Sequence, residues 1–210
     1  MSLNKNYIAI ALLVIFYSVG IVGLSNSLWQ SLFLSLTPFN LLLTLGIFFF
    51  ANSNLDKKLI LSFIITFIIG YGVEVAGVHT GVLFGNYQYG SALGLKFFKV
   101  PLLIGVNWFL LAISTKGILE KISHNAFLQI ISSALLMVLL DVLIEPVAIQ
   151  LDFWNWENNI IPLQNFIMWF ITALVIQYIL YKLKPQLNIV ICLGVYITQL
   201  IFFGILNLIL

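Results

Sequence analysis

The chain has 210 residues, 62% of them apolar and 8% charged, with a formal net charge of +2 and a mean hydropathy of +1.13. A soluble domain carries about 25% charged residues, so this composition cannot clothe a water-facing surface. It describes a polytopic membrane protein and excludes a sizeable soluble domain, a nucleotide-binding domain and nucleic-acid binding.

At about 20 residues per span, the length accommodates seven helices in a single transmembrane domain, residues 1–210. The first apolar run, Tyr7–Leu24, is long for the core of a signal peptide and lacks a convincing small-x-small cleavage site, so it reads as the first span. Further spans are predicted over Leu32–Ala51, Leu59–Val78, Val100–Thr115, Ala126–Ile149, Pro162–Lys182 and Leu187–Leu210. Backbone groups in lipid must be paired within their own segment, and these runs are too long for barrel strands, so an all-α fold is expected. Most connectors are short; Thr80–Lys99 and Gln150–Ile161 are the two long ones.

All nine cations are lysine, and the single cysteine, Cys192, allows no disulfide and no thiolate cluster. The absence of arginine removes bidentate clamps for phosphate or carboxylate. Seven lysines (5, 57, 58, 116, 121, 182 and 184) fall on one side of the predicted topology, and Lys96 and Lys99 on the other. The lysine-rich side is the cytoplasmic one. The N-terminus is therefore expected in the cytoplasm and both long connectors outside, in the inner membrane of a prokaryote.

The polar residues converge on this map. Glu74 lies about 6 Å inside the outer end of the third span, and Asp141 and Glu145 about 12 and about 6 Å inside that of the fifth, at 1.5 Å per residue. Asp141 and Glu145 are spaced i, i+4 and share one helical face. The fourth span presents Asn107 and Trp108 about 10 Å down, and the sixth presents Asn165 and Trp169, again four apart. Four helices thus bring acids and amides to one membrane half. Intramembrane carboxyls are costly and mark function by default. With no lysine or arginine beside them, the three cannot all be comfortably ionised, and at least one is expected to keep its proton for general acid chemistry or proton transport.

Each residue also has a structural reading. Glu74 can serve as a buried hydrogen-bonding group, and Glu145 can satisfy a backbone group freed by Pro146. Asn107 and Asn165 can join helices. Tyr87, Tyr89, Trp154 and Trp156 can form an interfacial belt. His79 and His124 fall on opposite sides, so no two-histidine metal site is expected; His79, near Glu74, reads as part of a polar lid, with metal ligation as the alternative.

Two blocks of sequence carry a resemblance. The first is Glu74-Val-Ala-Gly-Val-His-Thr-Gly-Val-Leu-Phe-Gly-Asn-Tyr-Gln-Tyr89, followed by Leu93-Gly94, Val100-Pro101 and Asn107-Trp108. The second is Asp141-Val-Leu-Ile-Glu145-Pro146-Val-Ala148, with Trp154-Asn-Trp156, Pro162-Leu-Gln-Asn165 and Trp169. Together they resemble the membrane carotenoid biosynthesis family, whose characterised members, gamma-carotene 1',2'-hydratases and bisanhydrobacterioruberin hydratases, hydrate carotenoid ends. The likeness covers roughly residues 59–181; one departure is Asn159-Ile-Ile-Pro162, where the family places a Tyr-Gly-(Val/Ile)-Pro turn.

The resemblance implies addition of water across the terminal C1=C2 alkene of an acyclic end, with no cofactor and a carotenoid substrate held within the bilayer. It implies Glu74, Asp141 and Glu145 as catalytic groups, with Asp141 or Glu74 as the acid and Glu145 and Asn165 positioning water. Asn107, Trp108, Trp169, His79, Tyr87, Tyr89, Trp154 and Trp156 would surround the end group. A membrane carotenoid cyclase, in which an internal alkene captures the cation, and a proton-coupled transporter are the alternatives. A transporter would usually show inverted repeats and broken helices at the midplane, and none is evident. A retinal-type photoreceptor is excluded because Leu187–Leu210 has no lysine.

Overall fold

The computed structural model describes residues 2–52 and 56–210. Seven helices among them are long and apolar enough to cross a membrane: α1 (Ser2–Ser25), α2 (Gln30–Ala51), α3 (Lys57–Thr80), α4 (Leu103–Ile122), α5 (Ala126–Gln150), α6 (Leu163–Leu183) and α7 (Ile189–Ile209). The protein is an all-α polytopic membrane protein. Asp56, Asn125 and Asn188 cap α3, α5 and α7, their side-chain oxygens accepting from backbone N–H groups of the first turn. Gly81, at φ 65°, closes α3 in the left-handed conformation that a glycine adopts without strain.

The bundle is organised around α4. Of its span 83% is buried, against 17% to 39% for the other six, although it is the least apolar of the seven. It packs against α2, α3, α5, α6 and α7. Small and hydroxyl-bearing residues make this possible, because they let neighbouring backbones approach: a Cβ on Gly105 would meet the Phe67 ring, and Ser133 Oγ donates to the Thr115 carbonyl at 3.3 Å.

The helix differs from the predicted Val100–Thr115 at both ends. Val100 and Pro101 form a short strand, β3, paired antiparallel with β2 (Lys96–Phe97). At the other end the helix runs on through Lys116, which is buried and ion-paired with Glu120 one turn later. Both residues, expected in a connector, are thus part of a helix.

All long connectors gather at one end of the bundle, where α1, α3, α5 and α7 finish. There β1 (Tyr87–Tyr89), from the α3–α4 connector, pairs antiparallel with β4 (Trp154–Trp156), from the α5–α6 connector. Gly90 N–H donates to the Phe153 carbonyl at 2.9 Å, Asn86 Nδ2 to Glu157 Oε2 at 2.7 Å, and Ser91 N–H to Asp152 Oδ2 at 3.2 Å. The two connectors form one joined cap.

Candidate active site

Alternation along a strand sends residues i and i+2 to the same face. In β1 this aims Tyr87 and Tyr89 together, and in β4 Trp154 and Trp156; the register places Tyr87 opposite Trp156 and Tyr89 opposite Trp154. The two pairs close over carboxyls from different helices. Glu74 Oε2 accepts from Tyr87 at 2.5 Å and Tyr89 at 2.8 Å, and its Oε1 from Trp108 Nε1 at 3.2 Å. Glu145 Oε2 accepts from Trp154 Nε1 at 2.9 Å and Trp156 Nε1 at 2.7 Å, and its Oε1 from Asn165 Nδ2 at 2.9 Å.

Burial, reinforced by the nearby Glu74 carboxyl, pushes both cap phenols well above their ordinary range. They keep their protons and remain donors.

Asp141 is different. It is fully buried, its Oδ2 accepts from the same Asn165 Nδ2 at 3.2 Å, and its Oδ1 has no hydrogen-bond partner among the described residues. Asn165 therefore bridges Asp141 and Glu145, which the i, i+4 spacing sets on one face of α5. Four residues on, Trp169 stacks on Trp108 at 3.9 Å between ring centroids and 16° between planes. Trp108 fits because Gly70 leaves the space: a Cβ there would overlap its ring. The network runs continuously through α3, α4, α5, α6 and the cap.

Ten of the twelve residues singled out from sequence fall into this network. Asn107, half-buried, lies in the wall of a neighbouring cavity rather than in the network. The twelfth, His79, is exposed, its Nδ1 bonded to the Val75 carbonyl at 2.9 Å. Five residues from Glu74, it points about 140° away around the helix at 3.6 residues per turn. Among the described residues no group of three or more His, Cys, Asp or Glu is arranged to hold a metal ion.

The cavity measures about 480 Å³ and lies among α1, α2, α4 and α7, with Ile144 and Trp154 on the side of the carboxyl cluster. Its size is that of a small-molecule site, about 300–1,000 Å³. Tyr17 and Gln199, which the sequence reading passed over, belong to its wall; Gln199 Nε2 donates to Tyr17 Oη at 3.4 Å. A glutamine in the middle of an apolar span was the available signal.

Fold and site together define an integral membrane protein with a closed, multi-carboxyl centre at one end of a helical bundle. The chain belongs to the carotenoid biosynthesis protein family, whose model matches residues 35–210. It is 27% identical over 131 residues to a protein of Haloarcula japonica named bisanhydrobacterioruberin hydratase. That match covers 56% of this chain and 43% of the relative, so the chain spans less than half the length of the protein it matches. No solved structure matches the chain significantly.

Proposed function

We propose that the chain is a carotenoid end-group hydratase, a lyase that adds water across the terminal C1=C2 alkene of an acyclic end without a cofactor. The observation that carries this reading is the contrast among the three carboxyls. Glu74 and Glu145 each accept three hydrogen bonds, which suits an ionised carboxylate, whereas Asp141 accepts one and has a bare, buried oxygen. An unpaired buried charge is costly; a proton on Asp141 removes that cost and arms the group as the acid.

The alkene π pair takes the Asp141 proton at C2 and leaves a tertiary cation at C1. Water attacks C1, and Glu145, held by Asn165, accepts the proton that the water releases. The product is the tertiary alcohol. The proton then passes from Glu145 to Asp141, which share the Asn165 amide, and the centre is reset. The sum is alkene plus water, with no electrons exchanged. Aromatic faces near the cation lower its energy through their quadrupoles, and Trp154, in the cavity wall, is placed for this. The lysine distribution supports a cytoplasmic N-terminus, with the site near the outer face of a prokaryotic inner membrane.

The test is expression in a bacterial host that makes lycopene or gamma-carotene, with pigments analysed by mass spectrometry. A gain of one water per reacted end is the expected result. An isomer of unchanged mass would mean cyclisation, and no change in any acyclic carotene background would reject both.

A further inference from the structure

The carboxyl cluster is closed by its own donors, and none of its three acids lines the cavity. The substrate therefore needs a place to bind that is next to the acids but separate from them. We propose that the cavity among α1, α2, α4 and α7 is that place: it receives the acyclic, apolar end of an isoprenoid polyene from the bilayer, through the seam between α1 and α2, and Trp154 is where the bound end meets the acids. The inference rests on the carotenoid reading above and locates its substrate.

Three observations carry it. First, the cavity side of α1 and α2 is built from residues that also face outward: Phe16, Val19, Leu36 and Phe39 line the cavity and are all exposed large apolar side chains. An opening walled this way faces lipid, and it selects a ligand that already resides in lipid.

Second, α2 is the span least held by the bundle, 17% buried, and carries Pro38 inside it. Proline removes one helical hydrogen bond and weakens the helix at that turn. Leu36, Thr37 and Phe39, beside Pro38, all line the cavity. The weak point of the weakest-held helix is thus the cavity wall.

Third, the inner wall is one residue thick. Trp154 lines the cavity, and its Nε1 holds Glu145; Ile144 lines it beside Glu145, and Asn107 beside Trp108, the donor to Glu74. Displacing the single indole of Trp154 joins the chamber to the carboxyls. A volume of about 480 Å³ suits one end of a long chain, with the remainder lying in the bilayer.

The experiment uses the full chain, affinity-purified from a lycopene-producing host. It measures lycopene retained per protein by visible absorbance and hydrated product by mass spectrometry. Leu36→Trp and Thr37→Phe fill the chamber at its mouth, Val22→Trp adds the same bulk to an exposed position of α1 outside it, and Asp141→Asn disables the acid. The two filling variants should retain at least tenfold less lycopene and lose product in parallel, with membrane levels of the protein unchanged. Val22→Trp should match the parent in both. Asp141→Asn should hold lycopene like the parent and make no product. Normal retention and normal product in both filling variants would overturn the chamber while leaving the hydratase reading intact. If the parent holds lycopene without hydrating it and the filling variants release it, the chamber stands and the hydratase reading falls.

Discussion

Tyr87 and Trp156 face each other across the β1–β4 ladder, 4.9 Å between ring centroids, and donate to carboxyls on two different helices, Tyr87 to Glu74 and Trp156 to Glu145. One cross-strand pair thus fixes the positions of acids on α3 and α5. Hydrogen bonds to charged groups contribute about 1.5–3 kcal/mol each. Tyr87→Phe and Trp156→Phe should each cut hydration about ten- to hundredfold while leaving the protein in the membrane. Initial rates of product formation, measured against protein level by immunoblot, check this.

Asp141→Asn preserves shape and removes the transferable proton. General acid catalysis contributes about 10²–10⁴-fold, and product should fall by at least the lower figure. Thermal stability of the detergent-solubilised protein should be little changed, since a neutral carboxylic acid is replaced by a neutral amide of the same shape. Glu74→Gln should instead lower it, because an amide can accept at only one of the two atoms at which Glu74 now receives three donors. A Glu74→Gln protein as heat-resistant as its parent would contradict this division of roles.

Gly70, one turn before Glu74 on α3, and Gly72, about half a turn before it, make a matched pair. A Cβ on Gly70 would collide with Trp108, whereas one on Gly72 would meet nothing within 4 Å. Gly70→Ala should displace Trp108 from both Glu74 and Trp169, at a cost of about 1–3 kcal/mol, with a loss of activity. Gly72→Ala should leave stability and activity intact. Melting curves in detergent, read by tryptophan fluorescence, separate the two.

The cap phenols predict an alkaline limit. A tyrosine whose proton is held more tightly in the folded than in the unfolded chain contributes stability that is complete below its unfolded value of about 10 and declines as pH rises beyond it. Burial first, then the Glu74 carboxyl, place Tyr87 and Tyr89 in this class. Denaturation should therefore become easier above about pH 10, with a shallower dependence in the Tyr87→Phe, Tyr89→Phe double variant. Ultraviolet phenolate titration should show both groups silent until unfolding.

Much of this architecture was legible in the chain. The seven spans follow from apolar runs, and the meeting of Glu74, Asp141, Glu145, Asn165 and Trp108 follows from counting residues inward from each predicted helix end. In sequence the apolar run of α4 ends at Thr115, where a lysine looks like a boundary; the helix continues through Lys116, which pairs with Glu120 one turn on. The aromatic cap was not foreseen, although Tyr-Gln-Tyr and Trp-Asn-Trp carry the alternation of a strand. Two strands of three residues gain their stability from pairing at sequence separations of 65 or more, as Asn86 and Glu157 show at a separation of 71, and no local pattern reports that. The histidine was misleading for a simple reason: nearness in sequence to Glu74 is not nearness on a helical face.

The acids and their donors are also close along the chain. Glu74 is followed by its phenols 13 and 15 residues later and its indole 34 later; Glu145 by its indoles 9 and 11 later and its amide 20 later. A nascent chain inserted span by span thus brings each acid's own hydrogen-bond donors out of the ribosome behind it. A truncated product ending after α5 would therefore carry Glu145 without any of its three donors, a bare carboxyl in an apolar span.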